Sequence, residues 1–383
     1  SDPPSDCRGE GFMTGRGALT DRAARLLLAR IAEPYDDTIQ ELVTQLGVRD
    51  LVGYALRDGR TPDGASLARL QGRLPQATGA DDDQICRALG VRTLVPGEPE
   101  WPTAVDDLDR PPWCLWVKGP LELGEATERS VAIVGARAST TYGDEVTASM
   151  ALTLAESGFT IVSGAAFGID AAAHRGALAV GGATVAVLAG GVDVPYPRAN
   201  AELLAQIGRW GALVSETPPG GAPARMRFLA RNRLIAALAA GTVVVEAGLR
   251  SGARTTAKYA RELGRHLMAV PGPVTSQQSA GCHEEIRWGA TLVTDAPEVA
   301  EVVGRIGEDL APLKRGRSRE EDDLPPECKR VWQWLRPRRS ASVDELMVRS
   351  GLGLREVLVA LSQLEQRGMV EQLLDGWKRR TCP

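Results

Sequence analysis

The chain has 383 residues, 43% hydrophobic and 25% charged, with a formal charge of −4 at pH 7. That length allows two or three domains with cores of ordinary size, and the charge excludes a bulk-basic, histone-like protein. No apolar run reaches the ~18 residues of a membrane span.

Charge is unevenly spread: residues 1–110 carry 13 basic and 19 acidic side chains, whereas residues 325–383 carry 11 and 7. The tail is the basic part. The six cysteines (Cys7, Cys86, Cys114, Cys282, Cys328, Cys382) form no C-x-x-C pair, and His174, His266 and His283 lie far apart. No metal site or cofactor is expected, and the thiols read as free in a reducing cytoplasm.

Residues 1–17 are polar, without a secretory hydrophobic stretch, and read as a disordered leader in which Met13 offers a native start. From 18 to 95, short amphipathic pieces suggest a small helical domain of the SAM or helix-hairpin-helix kind. Thr20 and Asp21 cap its first helix, which carries Ala24, Leu27, Leu28 and Ile31, and further pieces lie at 39–46, 67–70 and 84–89.

The character changes over 96–303. Apolar runs at 114–117, 131–134, 160–162, 184–188, 212–215, 242–246, 266–270 and 291–293 alternate with helical stretches at 143–156, 170–180, 199–207, 228–239 and 255–263. Continuous apolar strands separated by helices predict a Rossmann-like, doubly wound, mostly parallel sheet covered on both faces. Residues 304–324 are dense in mixed charge and read as a flexible linker. Helices at 327–335, 343–350 and 354–367, then a hairpin with Asp375-Gly376 at its turn, predict a winged-helix domain over 325–383.

In such a sheet, ligands bind beyond the carboxyl ends of the strands. The first of those loops carries Arg137 but no G-x-G-x-x-G. The second carries Ser163, Gly164 and Gly168, with Asp170 placed to cap the next helix and His174 read as packed rather than catalytic. The third carries Tyr196, Arg198 and Asn200, suited to stacking a base and holding a phosphate. Arg225, Arg227, Arg231 and Arg233, with Asn232 between the last two, open a helix, where cations are disfavoured unless an anion offsets them. A Ser-Gly turn at Ser251, followed by Thr255, offers backbone N–H groups to an oxyanion, and Glu246 stands ready for a ribose hydroxyl or an arginine. These loops hold no catalytic triad and no metal set. They predict binding of an extended phosphate polymer, a single nucleic-acid strand above all.

The ordered runs VAIVGARASTTYG, IVSGAAFGIDAAAH, VAVLAGGVDVPYPRAN, ALVSETPPG, RFLARNRLIAALA, VVVEAGLRSGARTTAKYA and AVPGP resemble the bacterial DNA-processing protein A family (DprA, also called Smf) over roughly residues 97–303. The resemblance implies a non-enzymatic, homodimeric, single-stranded-DNA-binding protein that protects incoming DNA in natural transformation. It implies that the protein loads RecA and helps it displace single-strand-binding protein. It places Arg137, Ser163, Gly164, Arg198, Asn200, Arg231, Asn232 and Arg233 in the DNA pocket. Gly168 and Asp170 would shape the pocket, and Glu246, Ser251 and Thr255 would line or support it. Leu229 stands where the family usually has Pro. His283 and Glu285 depart from the usual residues near the place where relatives pair, and a carboxylate there costs desolvation unless it is paired.

Two rival readings stand beside this one. One is a nucleotide-cleaving hydrolase of the lysine-decarboxylase-like Rossmann type, whose P-G-G-x-G-T-x-x-E run is missing here. The other is a pure protein scaffold, which leaves the arginine cluster unexplained. In the tail, positive charge sits at Arg336, Arg338, Arg339, Lys378, Arg379 and Arg380 rather than on the helix that would read a duplex. That suggests auxiliary backbone contact or a protein partner.

Overall fold

A computed structural model describes residues 19–78, 82–314 and 320–380. The chain divides into two compact units, Ser1–Ala311 and Pro312–Pro383. The leader at 1–17 and part of the expected linker, 315–319, lie outside the described residues.

The first unit is built on a nine-stranded sheet. Its strands are β1 (Val91–Leu94), β2 (Leu115–Lys118), β3 (Ser130–Val134), β4 (Thr160–Ser163), β5 (Thr184–Val187), β6 (Ala212–Ser215), β7 (Gly241–Val244), β8 (His266–Ala269) and β9 (Thr291–Leu292). Their order is β1-β2-β6-β5-β4-β3-β7-β8-β9. The β1–β2 and β2–β6 pairings are antiparallel, and every other pairing is parallel. Each residue of β3 through β7 is buried. Helices cover both faces, so these strands read as unbroken apolar runs rather than alternating ones.

β4 and β7 flank β3, so the chain leaves β3 towards one edge of the sheet and later returns to its other side. Such a reversal opens a crevice at the carboxyl ends of the two strands involved, here β3 and β7.

The helical segment at the front is part of this unit. Leu27, Leu28, Leu51 and Val52 share one buried cluster with Trp113, Trp116, Leu188 and Leu203. Thr20 caps helix Asp21–Ile31, its hydroxyl accepting from Ala23 N at 3.2 Å. The residues just before 95 differ from the helical expectation: β1 is a strand, paired with β2 from Val91↔Lys118 to Leu94↔Leu115. Five α-helices among the described residues escaped the pattern: Val48–Arg57, Leu74–Thr78, Leu123–Glu128, Ala280–Arg287 and Ala296–Val303. The last carried a usable signal, since Asp295 caps it from Glu298 N and Pro297 stands in its first turn.

The linker expectation is also revised at both ends. Asp309 accepts from two nitrogens of Arg129 (2.7 and 3.0 Å), which ties the residues after 304 to the first unit. Leu324 is buried in the core of the second.

The second unit has the winged-helix plan: helices Pro326–Trp332, Val343–Ser350 and Leu354–Gln366, then the hairpin β10 (Val370–Leu373) and β11 (Gly376–Arg379). Ser342 caps the second helix and Gly351, in the left-handed region, ends it. Val357, Ala360, Leu361 and Leu364 form the buried stripe of the third helix. Leu354 and Leu358 on the same helix are exposed. Among the described residues no helix is long and apolar enough to cross a membrane, and no group of His, Cys, Asp or Glu is placed to hold a metal.

Candidate functional site

A cavity of about 510 Å³ lies at the switch point. Its walls are the loop after β3 (135–138), the loop after β7 (248–252) and one face of helix Arg225–Ala237. Arg137, Arg231 and Arg250 line it, and Asp170 is the one acidic residue among the lining side chains. A concave wall with this excess of positive charge concentrates anions.

Arg231 is the cavity's fixed cation. It is buried, and its Nη1 donates to the carbonyls of Gly164 (2.7 Å) and Val187 (2.5 Å). Burial lowers its pKa to about 10, with Asp170 opposing that shift. Burial also raises the pKa of Asp170, against the pull of Arg231 and of backbone N–H groups, that of Ala166 among them. The glycines make this arrangement possible. A β-carbon on Gly164 would lie 2.4 Å from Arg231 Nη1. Gly168, at φ 70°, starts helix Ile169–Ala179 where a β-carbon would lie 2.3 Å from the Ala136 carbonyl oxygen.

His174 packs behind this layer. The Thr184 hydroxyl donates to the Ile161 carbonyl and so accepts from His174 Nδ1 at 2.7 Å. Burial lowers the imidazole pKa to about 3, so the ring is neutral and structural, in line with the packed role expected for it.

An aromatic pair borders the arginines. The guanidinium carbons of Arg137 and Arg231 lie 5.4 and 5.9 Å from the Phe228 ring centroid. The Tyr196 ring lies 5.4 Å from it, tilted by 55°. Tyr196 is 46% exposed. Cations beside an open aromatic pair provide the two contacts a single strand takes, phosphate neutralisation and base stacking.

The sequence-chosen residues separate into three groups. Arg137, Arg231, Asn232 and Ser251 meet in the cavity. Arg198 and Arg225 are exposed, with no ion pair among the described residues, Arg198 two residues from Tyr196 and Arg225 one turn before Phe228. The others are committed elsewhere. Ser163 is buried and its hydroxyl donates to the Ile133 carbonyl at 2.6 Å. Asn200 donates to the carbonyls of Ala165 (3.1 Å) and Ala166 (3.2 Å), steadying Ala165 at φ 53°. Arg227 makes a two-pronged pair with Glu33 (3.0 and 2.7 Å). Arg233 pairs with Glu216 at 2.7 Å, both buried. Residues two apart on a helix do not share a face, so Arg231 and Arg233 point to opposite sides. Thr255 does not line the cavity, whereas its neighbour Thr256 does.

Glu246 holds neither Arg231 nor Arg233, which bond elsewhere. Its two oxygens accept from Thr140 N (2.9 Å) and Thr140 Oγ1 (2.6 Å), which anchors the start of helix Thr141–Glu156. Glu285 is 1% exposed and is paired within the chain, accepting from Arg254 (2.8 Å) and Arg261 (2.5 Å).

Sequence reasoning left out Phe228, Arg250 and Gln278, all of which line the cavity. Phe228 was legible, lying three residues before Arg231 and therefore on its face. Arg250 sits between Gly248 and Gly252, across the crevice from the Gly135 loop. Gln278 donates to the Ala138 carbonyl at 3.1 Å, a tertiary contact with no local sequence signal.

Fold and site together define a doubly wound α/β protein with an arginine-lined cavity at its switch point and a winged-helix unit behind it in the chain. Family comparison matches residues 92–304 to DNA recombination-mediator protein A and residues 316–376 to the DprA winged helix domain. The chain belongs to the DNA recombination-mediator protein A family. A putative DNA processing protein DprA of Mycobacterium tuberculosis is 45% identical, the match covering 92% of each chain. The X-ray structure of DprA from Streptococcus pneumoniae superposes with a TM-score of 0.63 at 32% identity, covering 76% of this chain and 100% of that one. A Helicobacter pylori DprA structure, described for its single-stranded DNA binding mode, is 31% identical with a TM-score of 0.50, covering 55% of this chain and 93% of that one.

Proposed function

We propose that the protein binds single-stranded DNA in the switch-point cavity and acts as a recombination mediator. The observation that carries this reading is the meeting of Arg137, Arg231 and Arg250 in one cavity beside the Phe228–Tyr196 pair. Arg137 and Arg250 are exposed and unpaired among the described residues, hence free to neutralise phosphates. Arg225 and Arg198 extend the track at its margins, and Ser251 and Asn232 supply polar contacts inside it. Gly164, Gly168, Ser163 and Asn200 shape the loops without touching the strand. The single-strand binding described for the H. pylori relative supports the reading.

In this role the protein works as a homodimer in the cytoplasm. It protects incoming strands during transformation and loads RecA onto DNA coated by single-strand-binding protein. No chemistry on the strand is required of it. The test is RecA's DNA-dependent ATPase on a coated single strand. Addition of the protein shortens the lag before ATP hydrolysis, and an Arg137→Ala, Arg250→Ala double variant leaves the lag unchanged. An unshortened lag with the unaltered protein would count against mediation.

A further inference from the structure

The loop after β4 carries one aromatic residue, Phe167, which is 45% exposed. A single exposed apolar side chain is ordinary on a protein surface. The backbone on either side of this one is not. Before it, Ala165 sits at φ 53°, in the left-handed region that a β-carbon disfavours. The buried Asn200 side chain donates to the carbonyls of both Ala165 and Ala166, at 3.1 and 3.2 Å. After it, Gly168 lies so close to the loop after β3 that a β-carbon would meet the carbonyl oxygens of Ala136 (2.3 Å) and Arg137 (2.7 Å). Costly backbone of this kind persists where its surroundings over-determine it, and it gathers at ligand sites.

The same ties locate Phe167. Ala166, just before it, lines the cavity. Gly168, just after it, abuts the backbone of Arg137. Asn200, which holds the loop from the other side, ends the short turn that Arg198 begins. Phe167 therefore stands between two loops that each carry an exposed arginine, Arg137 and Arg198, with no ion pair among the described residues.

We propose that Phe167 is a stacking platform for the strand outside the cavity: the first base beyond the mouth lies on its ring, and the next phosphate meets Arg198. This rests on the single-strand reading of the cavity. A strand seated among Arg137, Arg231 and Arg250 has to leave by the mouth, and it presents bases and phosphates in alternation. The loops after β4 and β5 offer the matching alternation, a ring on one and a free cation on the other. An apolar protein surface laid on Phe167 would leave both neighbouring cations unmatched. Every base has a π-face, so stacking on a phenyl ring is tolerant of sequence. Phe167 thus lengthens the site without making it selective.

The test compares oligo-dT with an abasic oligomer of the same length, which keeps the phosphates and lacks the bases. Both are titrated by anisotropy at low salt, where phosphate contacts carry the binding. Phe167→Ala should weaken oligo-dT binding about 5- to 150-fold, the worth of one stacked base, with an unchanged salt slope. It should leave abasic binding as it was, and Phe167→Trp should restore the oligo-dT affinity. Arg198→Ala should weaken both oligomers and make the salt slope shallower by about 0.7. Full oligo-dT affinity in Phe167→Ala would overturn the proposal alone. So would an equal loss on both oligomers, which marks a damaged loop, or a failure of Phe167→Trp to restore binding. An unaltered chain that binds neither oligomer would overturn the single-strand reading as well.

Discussion

The guanidinium of Arg231 fills the space that a β-carbon on residue 164 would need: the two would stand 2.4 Å apart. Gly164 therefore holds the cavity's central cation in place by lacking a side chain, and its carbonyl accepts from that same cation. Gly164→Ala should displace Arg231, lowering stability by about 1–3 kcal/mol as an overpacked core does. The loss of strand affinity should be larger than this destabilisation explains while the chain is still folded. Urea unfolding and anisotropy on one preparation separate the two effects.

The two arginines of the R-N-R run should behave differently because they face opposite ways. Arg233→Ala strands the Glu216 carboxylate in the interior, a loss of about 3–5 kcal/mol when one partner of a buried pair is removed. Strand affinity, measured below the unfolding transition, should change little. Arg233→Met with Glu216→Leu should recover much of the stability, since apolar replacement of a buried pair is often neutral.

Arg227 was grouped with the DNA-binding arginines by its sequence neighbours, yet Glu33 engages it. Arg227→Ala should cost up to about 1 kcal/mol, the scale for a partly exposed pair. The salt dependence of strand binding should stay that of the unaltered protein.

His174 makes stability depend on pH. Its folded pKa is about 3 against a usual 6.5. Between these values the unfolded chain binds a proton that the folded chain refuses, so this contribution is complete above about pH 6.5 and shrinks as pH falls. The slope reaches about 1.4 kcal/mol per pH unit in the middle of the window. His174→Gln should remove that part of the slope, read as the difference between two denaturation series at pH 7 and pH 5.

Much of this structure could be read from the sequence because its signals are local. Unbroken apolar strands and capped helices placed every parallel strand from β3 to β8 within about two residues, and with them the crevice. β1 was missed because VRTL is short and half polar, and its identity as a strand depends on pairing with Leu115–Lys118. In the site, residue type and position pointed to Arg137 and Arg231, and both line the cavity. Sequence gives no account of partners, however. Glu33 lies 194 residues from Arg227, and Thr140 lies 106 residues from Glu246. Those contacts decide which arginines remain free and which carboxylates are engaged.

The central claim is that exposed, unpaired arginines at the switch point take the phosphates of a single strand. Its most direct test is fluorescence anisotropy with labelled oligo-dT, single- and double-stranded, across a salt series, for the unaltered chain, Arg137→Ala and Arg250→Ala. The account predicts preference for the single strand. Each variant should bind more weakly, with a salt slope shallower by about 0.7, the loss of one phosphate contact. Affinity and slope unchanged in both variants would contradict it and move the strand away from this cavity.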